Sequence, residues 1–494
     1  MMRSLFSGVA GLRTHQTRMD VIGNNIANVN TTAYKSQSMV FSDLMYQTTQ
    51  KASGANALTG VGGTNARQIG LGSKTGAIKT AIASQGAAQS TNDPFDIMIS
   101  GDAFFVVSNG SENFFTRDGS FYIDGKGNLA MTSTGYNVMG WQVDPSDPTG
   151  QNVKKDTVSP LRLMTGKNMT YPPEATTKAT VDGVIDKYDT DVNSDDGRVM
   201  NLEFFDNQGY KYTAKLSVHA IDGDKGQFYV KLDNVLDSDG KSIMFDKDGK
   251  EIPGVTEKFT FGSEKNSIKD DTGADVMMKN PNYVDGGTEP EKIPVTNAIV
   301  LQYVEGEGTF SYVGVEAGGT SGASTTKLKF GDLAIFPSNG IDIDFSATFN
   351  YNKNGTSTMS AFAGLESGEG EGRKVGELSG ITVQKDGKIF ASYDNGQRRL
   401  LGQIAVATFA NPSGLEKEGD NLYSATMNSG DFDGVGKDIT EDGGRMDSGV
   451  LEMSNVDLSQ EFTEMITTQR GFQANSRIIT VSDTLLEELT NLKR

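Results

Sequence analysis

Leu458-Ser459-Gln460-Glu461-Phe462-Thr463-Glu464-Met465 opens a segment in which Leu458, Phe462, Met465, Phe472, Ile479 and Leu486 lie on one stripe, with Gln469 and Ser476 as polar interruptions. Steps of three and four residues are the spacing of a helical seam. A neighbouring stripe of Ile478, Val481, Leu485, Leu489 and Leu492 widens the apolar face beyond what one partner helix can cover. The spacing predicts a helix over residues 458–494 that needs more than one neighbour. Ser459 is placed to cap its first turn, Glu461 and Glu464 suit its positive end, and Lys493 and Arg494 suit its negative end.

At the opposite terminus Leu5, Val9, Leu12, Gln16, Met19, Ile22 or Gly23, and Ile26 recur at alternating steps of four and three, predicting an amphipathic helix within residues 1–30. Arg3, Arg13 and Arg18 against Asp20 leave this helix positive, whereas the last helix carries five acids against four bases. Charge mildly favours their mutual packing, although exposed pairs add little. Two such helices could anchor to a membrane surface, close into a bundle within one domain, or join copies of the chain. Basic residues are too sparse for the first, and periodicity alone does not separate the other two.

Between the helices the pattern changes. Residues 31–79 are rich in Gly, Ala, Ser, Thr, Gln and Asn, so residues 31–92 read as an extended connecting region that orders against neighbours. Strand signals begin at Phe95 with Ile97-Met98-Ile99, Phe104-Phe105-Val106-Val107, Phe114-Phe115 and Phe121-Tyr122-Ile123, punctuated by Asn109-Gly110, Asp118-Gly119 and Asp124-Gly125. Such Asx-Gly pairs supply the positive φ of tight hairpins. They recur at Asp182-Gly183, Asp196-Gly197, Asp222-Gly223, Asp239-Gly240, Asp248-Gly249, Asp386-Gly387 and Asn395-Gly396. The expected fold is mainly β with α-helical termini, discontinuous and multidomain. Residues 93–147 and 370–457 form a first β domain, and 148–369 form one or two outer β-barrel or β-sandwich-like domains inserted between coiled-coil helices.

Composition narrows the function. A net charge of −19 over 494 residues disfavours nucleic acid, whose binders concentrate Lys and Arg. No run approaches the roughly 18 apolar residues of a membrane span, and the first residues lack the apolar core and small-residue cleavage site of a secretory signal. The absence of cysteine excludes disulfides, thiolate metal sites and cysteine nucleophiles, and a serine triad or histidine-based metal site would have to be built from His15 and His219, with no H-E-x-x-H or comparable pairing; no catalytic, cofactor or metal residue is expected. Calcium loops fail as well, because aligning Gly249 to the sixth EF-hand position puts Met244 first and Val255 twelfth. Gly70-Leu71-Gly72-Ser73-Lys74-Thr75-Gly76 has Ser where a phosphate loop requires Gly before Lys, and reads as a flexible linker. Tyr210, Tyr212 and Tyr229 would suit a carbohydrate-binding or adhesive surface, but their strand-like setting favours β packing.

Several motifs carry a resemblance. Ser4-Leu5-Phe6-Ser7-Gly8-Val9-Ala10-Gly11-Leu12 and Asp20-Val21-Ile22-Gly23-Asn24-Asn25-Ile26-Ala27-Asn28-Val29-Asn30-Thr31 stand at one end; Ser454-Asn455-Val456-Asp457 and Gln469-Arg470-Gly471-Phe472-Gln473-Ala474-Asn475 stand at the other. Together they resemble the terminal signatures of the bacterial flagellar rod and hook axial proteins. Gly101-Asp102-Ala103-Phe104-Phe105-Val106-Val107 and Phe409-Ala410-Asn411-Pro412 resemble that family's first β domain. Ala33 and Ala103 stand where the family pattern usually has Gly.

The resemblance implies a self-assembling structural subunit outside the cell, exported without a cleaved signal by the flagellar export apparatus, with no cofactor and no inserted membrane segment. It implies contacts with rod, hook cap and hook–filament junction proteins. Length favours the hook over the rod, with a distal rod or hook-associated subunit as the alternative. Residues 31–79 become a candidate compliant joint. Before assembly the terminal helices would lack partners and be largely disordered. Because net charge keeps free copies apart, added salt should promote assembly in vitro, which light scattering against ionic strength will test; filament growth indifferent to salt would contradict it.

Overall fold

The computed structural model describes residues 2–54, 60, 62–147, 150–247, 250–262, 266–280, 290–315, 317 and 323–492. The chain divides into two compact units, Met1–Met169 with Ser379–Ser392 and Arg398–Arg494, and Thr170–Leu378 with Tyr393–Gln397. Helices occupy the two ends, Met2–Ala27 and Leu458–Asn491, and nearly all regular structure between them is β.

In the first unit Phe104–Ser108 pairs antiparallel with Asn113–Thr116 on one side, Val106 opposite Phe115, and with Asn137–Gln142 on the other, Val107 opposite Val138. Asn137–Gln142 in turn pairs with Arg398–Ile404, so residues far apart in sequence complete one sheet. Phe104 and Phe115 meet Phe409, Phe432 and Tyr423 in edge-to-face contacts with centroids 4.7–6.0 Å apart. Buried Trp141 keeps its indole N–H satisfied through the carbonyls of Asp156 and Val435 at 3.1 and 3.0 Å.

The second unit is two five-stranded sheets around one core. Arg198–Phe205 shows why: Met200, Leu202 and Phe204 alternate inward while their neighbours face out. The first sheet orders Thr260–Phe261, Thr325–Lys329, Ile341–Asn350, Lys178–Ile185 and Ser360–Ala363; the second orders Arg198–Phe205, Lys211–Asp222, Gln227–Leu236, Ala298–Tyr303 and Phe310–Gly314. Side chains of both sheets interdigitate in one cluster, including Val181, Phe204, Phe228, Phe261, Ile343 and Phe345. Neither strand path closes, so the architecture is sandwich-like rather than a barrel. Tyr229 is buried and stacks on His219 with centroids 4.7 Å apart, Tyr212 stacks on Phe204 at 5.8 Å, and only Tyr210 stands well exposed.

Four expectations change. The connecting region is a two-stranded ribbon: Gln37–Asp43 pairs with Ser73–Thr80 and Tyr46–Gln50 with Arg67–Gly70. Leu44 N donates to Gly72 O at 2.8 Å and Leu71 N to Met45 O at 3.2 Å, which joins the two ladders. The stretch Gly70–Gly76 is therefore ribbon, not linker. Asp457 rather than Ser459 caps the last helix, its carboxylate accepting from Ser459 N and Gln460 N at 2.8 and 3.3 Å. Both terminal segments are helical within a single chain, because each offers the other a seam. Finally, the Asx-Gly turns divide: Gly110, Gly183, Gly197, Gly240, Gly387 and Gly396 have positive φ, but Gly119, Gly125 and Gly223 do not. Gly249, Lys493 and Arg494 lie outside the described residues.

Gly119 is needed for space instead, since a Cβ there would lie 1.7 Å from Ile97 O, whereas one on Gly125 would meet nothing within 4 Å. Gly119→Ala should cost about 3 kcal/mol and Gly125→Ala within about 0.5 kcal/mol, as thermal unfolding of the purified chain will measure.

Candidate assembly interface

Glycine inside a helix costs about 1 kcal/mol against alanine and calls for a packing reason. Three helical glycines supply one here. A Cβ on Gly11 would lie 2.8 Å from Asn475 Nδ2, one on Gly8 3.2 Å from Ile479 Cγ1, and one on Gly471 2.6 Å from His15 Cε1. Ser4 Oγ lies 3.4 Å from Ser482 Oγ, and Arg18 bridges Glu464 at 3.0 Å. The partner numbers fall on one helix as they rise on the other, so the helices run antiparallel and close together.

On the N-terminal helix the intrachain seam lies one position away from the predicted apolar stripe, whereas on the C-terminal helix Ile479 belongs to both. The N-terminal helix turns Ser4, Gly8, Gly11, His15, Arg18 and Asn25 to its partner, whereas the predicted stripe was Leu5, Val9, Leu12, Met19, Ile22 and Ile26. A one-residue step rotates the facing side by about 100°. Close approach wins: small residues let the backbones draw together, which bulkier apolar side chains would prevent. Of the predicted residues Ile22 is buried, while Leu5, Leu12, Met19 and Ile26 are half-buried and Val9 is exposed. On the C-terminal helix Met465, Phe472 and Ile479 are half-buried, and Leu458, Phe462, Leu485 and Leu489 stay 39–50% exposed.

The N-terminal motif tells a similar story. Asn25 is fully buried: its amide donates to Gln37 O at 2.8 Å and Glu461 Oε1 at 2.9 Å, and its carbonyl accepts from Gln37 N and the Tyr34 hydroxyl. It ties helix, ribbon and opposite terminus together. Burial pushes the Glu461 carboxyl up, against the pull of that amide. Asn28 donates to Asn24 O and accepts from Thr31, closing the turn. Asn475 lies in the seam, whereas Ala27, Asn30, Gln469, Arg470 and Ala474 are exposed and are not drawn into it.

A buried charge cluster joins the two ends and escaped the sequence reading. Lys35 Nζ lies 2.6 Å from Glu452 Oε1 and donates to Ser84 O at 2.7 Å, and Arg117 Nη1 lies 3.8 Å from Glu452 Oε2, with all three side chains at most 1% exposed. Gly86 N adds a 2.8 Å donor to Glu452. Burial lowers the Lys35 and Arg117 pKa values while the Glu452 charge pulls both back up. Arg117 also lies over the Phe104 ring at 5.1 Å. Nothing in the spacing of three residues so distant in sequence announces their meeting.

Beside it, Ala33 sits at φ 54°, in the left-handed region where glycine is at ease, and its N–H donates to Glu452 O at 2.7 Å. Ala103 has no positive φ, so only the first of the two Ala-for-Gly positions carries strain. Among the described residues no group of three or more acids and histidines is placed to hold a metal ion.

The two ends pair and still leave apolar stripes on the paired helices, which makes the termini the candidate joining surface of a structural subunit. Residues 5–35 match the family described as flagella basal body rod protein, 98–183 the D1 domain of flagellar hook protein FlgE/F/G, and 447–492 the C-terminal region of the flagellar basal body rod FlgEFG proteins. The flagellar hook protein FlgE of Borreliella burgdorferi is 33% identical over 507 residues, and that of Treponema pallidum 33% over 504, each covering 100% of both chains. The flagellar basal-body rod protein FlgG of Bacillus subtilis is 27% identical over 494 residues, again covering 100% of both chains. The crystal structure of Helicobacter pylori flagellar hook protein FlgE2 aligns with 74% of this chain and 100% of that one, at 15% identity and TM-score 0.33. The chain belongs to the flagellar hook protein family, as a structural subunit of the hook.

Glu452→Gln would leave two buried cations without their counter-charge. It should cost about 3–5 kcal/mol in denaturant unfolding, against at most about 1 kcal/mol for Asp447→Asn, whose partner Arg445 is exposed.

Proposed function

We propose that the subunit polymerises head to tail through its terminal helices into the curved hollow tube that couples the flagellar rod to the filament and transmits torque. The supporting observation is what intrachain pairing leaves over. Phe462 and Ile466 on one flank of the C-terminal helix, and Ile478, Val481, Leu485 and Leu489 on the other, are 43–58% exposed. Burying each such side chain is worth about 1.5–3 kcal/mol, so neighbouring copies can supply what the partner helix does not. A heterologous contact that does not close gives an open filament.

In this reading the subunit leaves the cell through the flagellar export apparatus and meets rod, hook cap and hook–filament junction proteins at the tube's ends. The ribbon of Gln37–Gln50 against Arg67–Thr80, mostly exposed and two-stranded, is the compliant element, because so thin a ladder bends without breaking a core. The full-length likeness to a rod protein supports a second reading, a distal rod subunit. Electron microscopy of a deletion strain separates them: loss of a hook subunit leaves complete rods without hooks, loss of a rod subunit leaves truncated rods. Removal of residues 458–494 should abolish filament formation in sedimentation while the second unit keeps its unfolding transition; filaments from the truncated chain would end the proposal.

A further inference from the structure

The N-terminal helix has a third side. Gly8 and Gly11 face the C-terminal helix, and the ribbon leans on Ser7 and Ala10 through Gly72, where a Cβ would lie 3.1 Å from Ala10 Cβ. Phe6 and Val9, each two positions and so about 160° away from Gly8 and Gly11, point elsewhere. With Leu44, Met45 and Leu71 of the ribbon they line an open apolar groove of about 740 Å³. Phe6 is 61% and Met45 79% exposed, which marks a surface awaiting cover.

The rim of this groove is cationic. Arg3, Arg13 and Lys74 stand along it, no acid lines it, and among the described residues none of the three forms an ion pair. From Ile478 to Leu492 the C-terminal helix carries Asp483, Glu487 and Glu488 with no Lys or Arg. Val481, Leu485, Leu489 and Leu492 form one exposed stripe there, and Glu488 lies beside it. The chain's own helix cannot fill the groove, because the antiparallel seam holds it on the opposite side of the N-terminal helix. The other exposed stripe, Leu458, Phe462 and Ile466, suits the groove less well: its acids are engaged, Asp457 as cap, Glu461 by Asn25 and Glu464 by Arg18.

We infer that the groove between the N-terminal helix and the ribbon receives the last three turns of the C-terminal helix of a second copy, Val481, Leu485 and Leu489 entering it and Glu488 meeting the Arg3–Arg13–Lys74 rim. The inference rests on polymerisation of the subunit and names the surfaces that perform it. Groove and stripe are different surfaces of one chain, so a copy whose stripe is seated in one neighbour still offers its own groove to the next, and the contact propagates.

Because the chain has no cysteine, an introduced pair reports the contact directly. Full-length Val9→Cys/Leu485→Cys should oxidise to covalent ladders of dimers and higher multimers under assembly conditions, with neither single variant passing dimer. Arg13→Glu and Glu488→Lys should each raise the critical concentration for assembly about 10-fold at low salt, and their combination should restore it to within about 3-fold. All five positions, Val9, Arg13, Phe462, Leu485 and Glu488, are exposed on helix, and circular dichroism checks that the fold survives. Normal assembly of both charge variants, or ladders from Val9→Cys/Phe462→Cys but not from Val9→Cys/Leu485→Cys, overturns the pairing while leaving polymerisation intact. Failure of the unaltered chain to assemble under any salt condition overturns polymerisation itself, and this contact with it.

Discussion

Everything at the termini depends on one carboxylate. Glu452 enters the last helix's approach with no exposure, yet it faces two cations, Lys35 from the exit of the first helix and Arg117 from the β domain. A lone buried charge is costly, and a pair is tolerable only when its remaining hydrogen bonds are met. The condition is met on one side only: Glu452 Oε1 accepts from Lys35 Nζ and Gly86 N, and Lys35 also donates to Ser84 O, whereas Glu452 Oε2 and Arg117 Nε and Nη2 are buried without a hydrogen bond and are held by charge attraction alone. Thus the two ends of the chain are fixed against each other just past the end of the first helix and just ahead of the last. The helix pair inherits its register from that clasp and from Asn25 just beyond it.

Fixed register explains why the seam can be built from small and polar residues. A helix pair held only by its own contacts would need large apolar side chains at every layer. Here Gly8, Gly11 and Gly471 face Ile479, Asn475 and His15, and close backbone approach substitutes for side-chain bulk. The larger apolar side chains are thereby released from intrachain packing. They remain on the flanks, where a single chain has nothing to cover them.

Much of this was legible in the sequence. The apolar runs between Ile97 and Ile123 and the Asx-Gly punctuation announced the β architecture, and steps of three and four residues announced both helices. The charged clasp was not legible, because Lys35, Arg117 and Glu452 come together only through the completed fold. The intrachain seam was not legible because hydrophobic periodicity scores side-chain size, and a glycine contact face scores nothing. The ribbon was missed for a related reason: its strands carry Ser, Thr, Gln and Gly on exposed faces, so no alternation betrays them. The helix begins at Leu458, where the apolar stripe begins, so the capping position just before it belongs to Asp457, and Ser459 already lies inside the first turn.

Ala33 adds a mechanical point. A non-glycine residue held at φ 54° stores on the order of 1 kcal/mol, and it stays there only because its surroundings leave no alternative. Its N–H is tied to Glu452 O, and the neighbouring Thr32 carbonyl accepts from Asn421 at 2.8 Å. A corner so over-constrained has no free travel. In the proposed coupling role a reversing load would pass across this bend without backlash, and the thinner ribbon would supply the give.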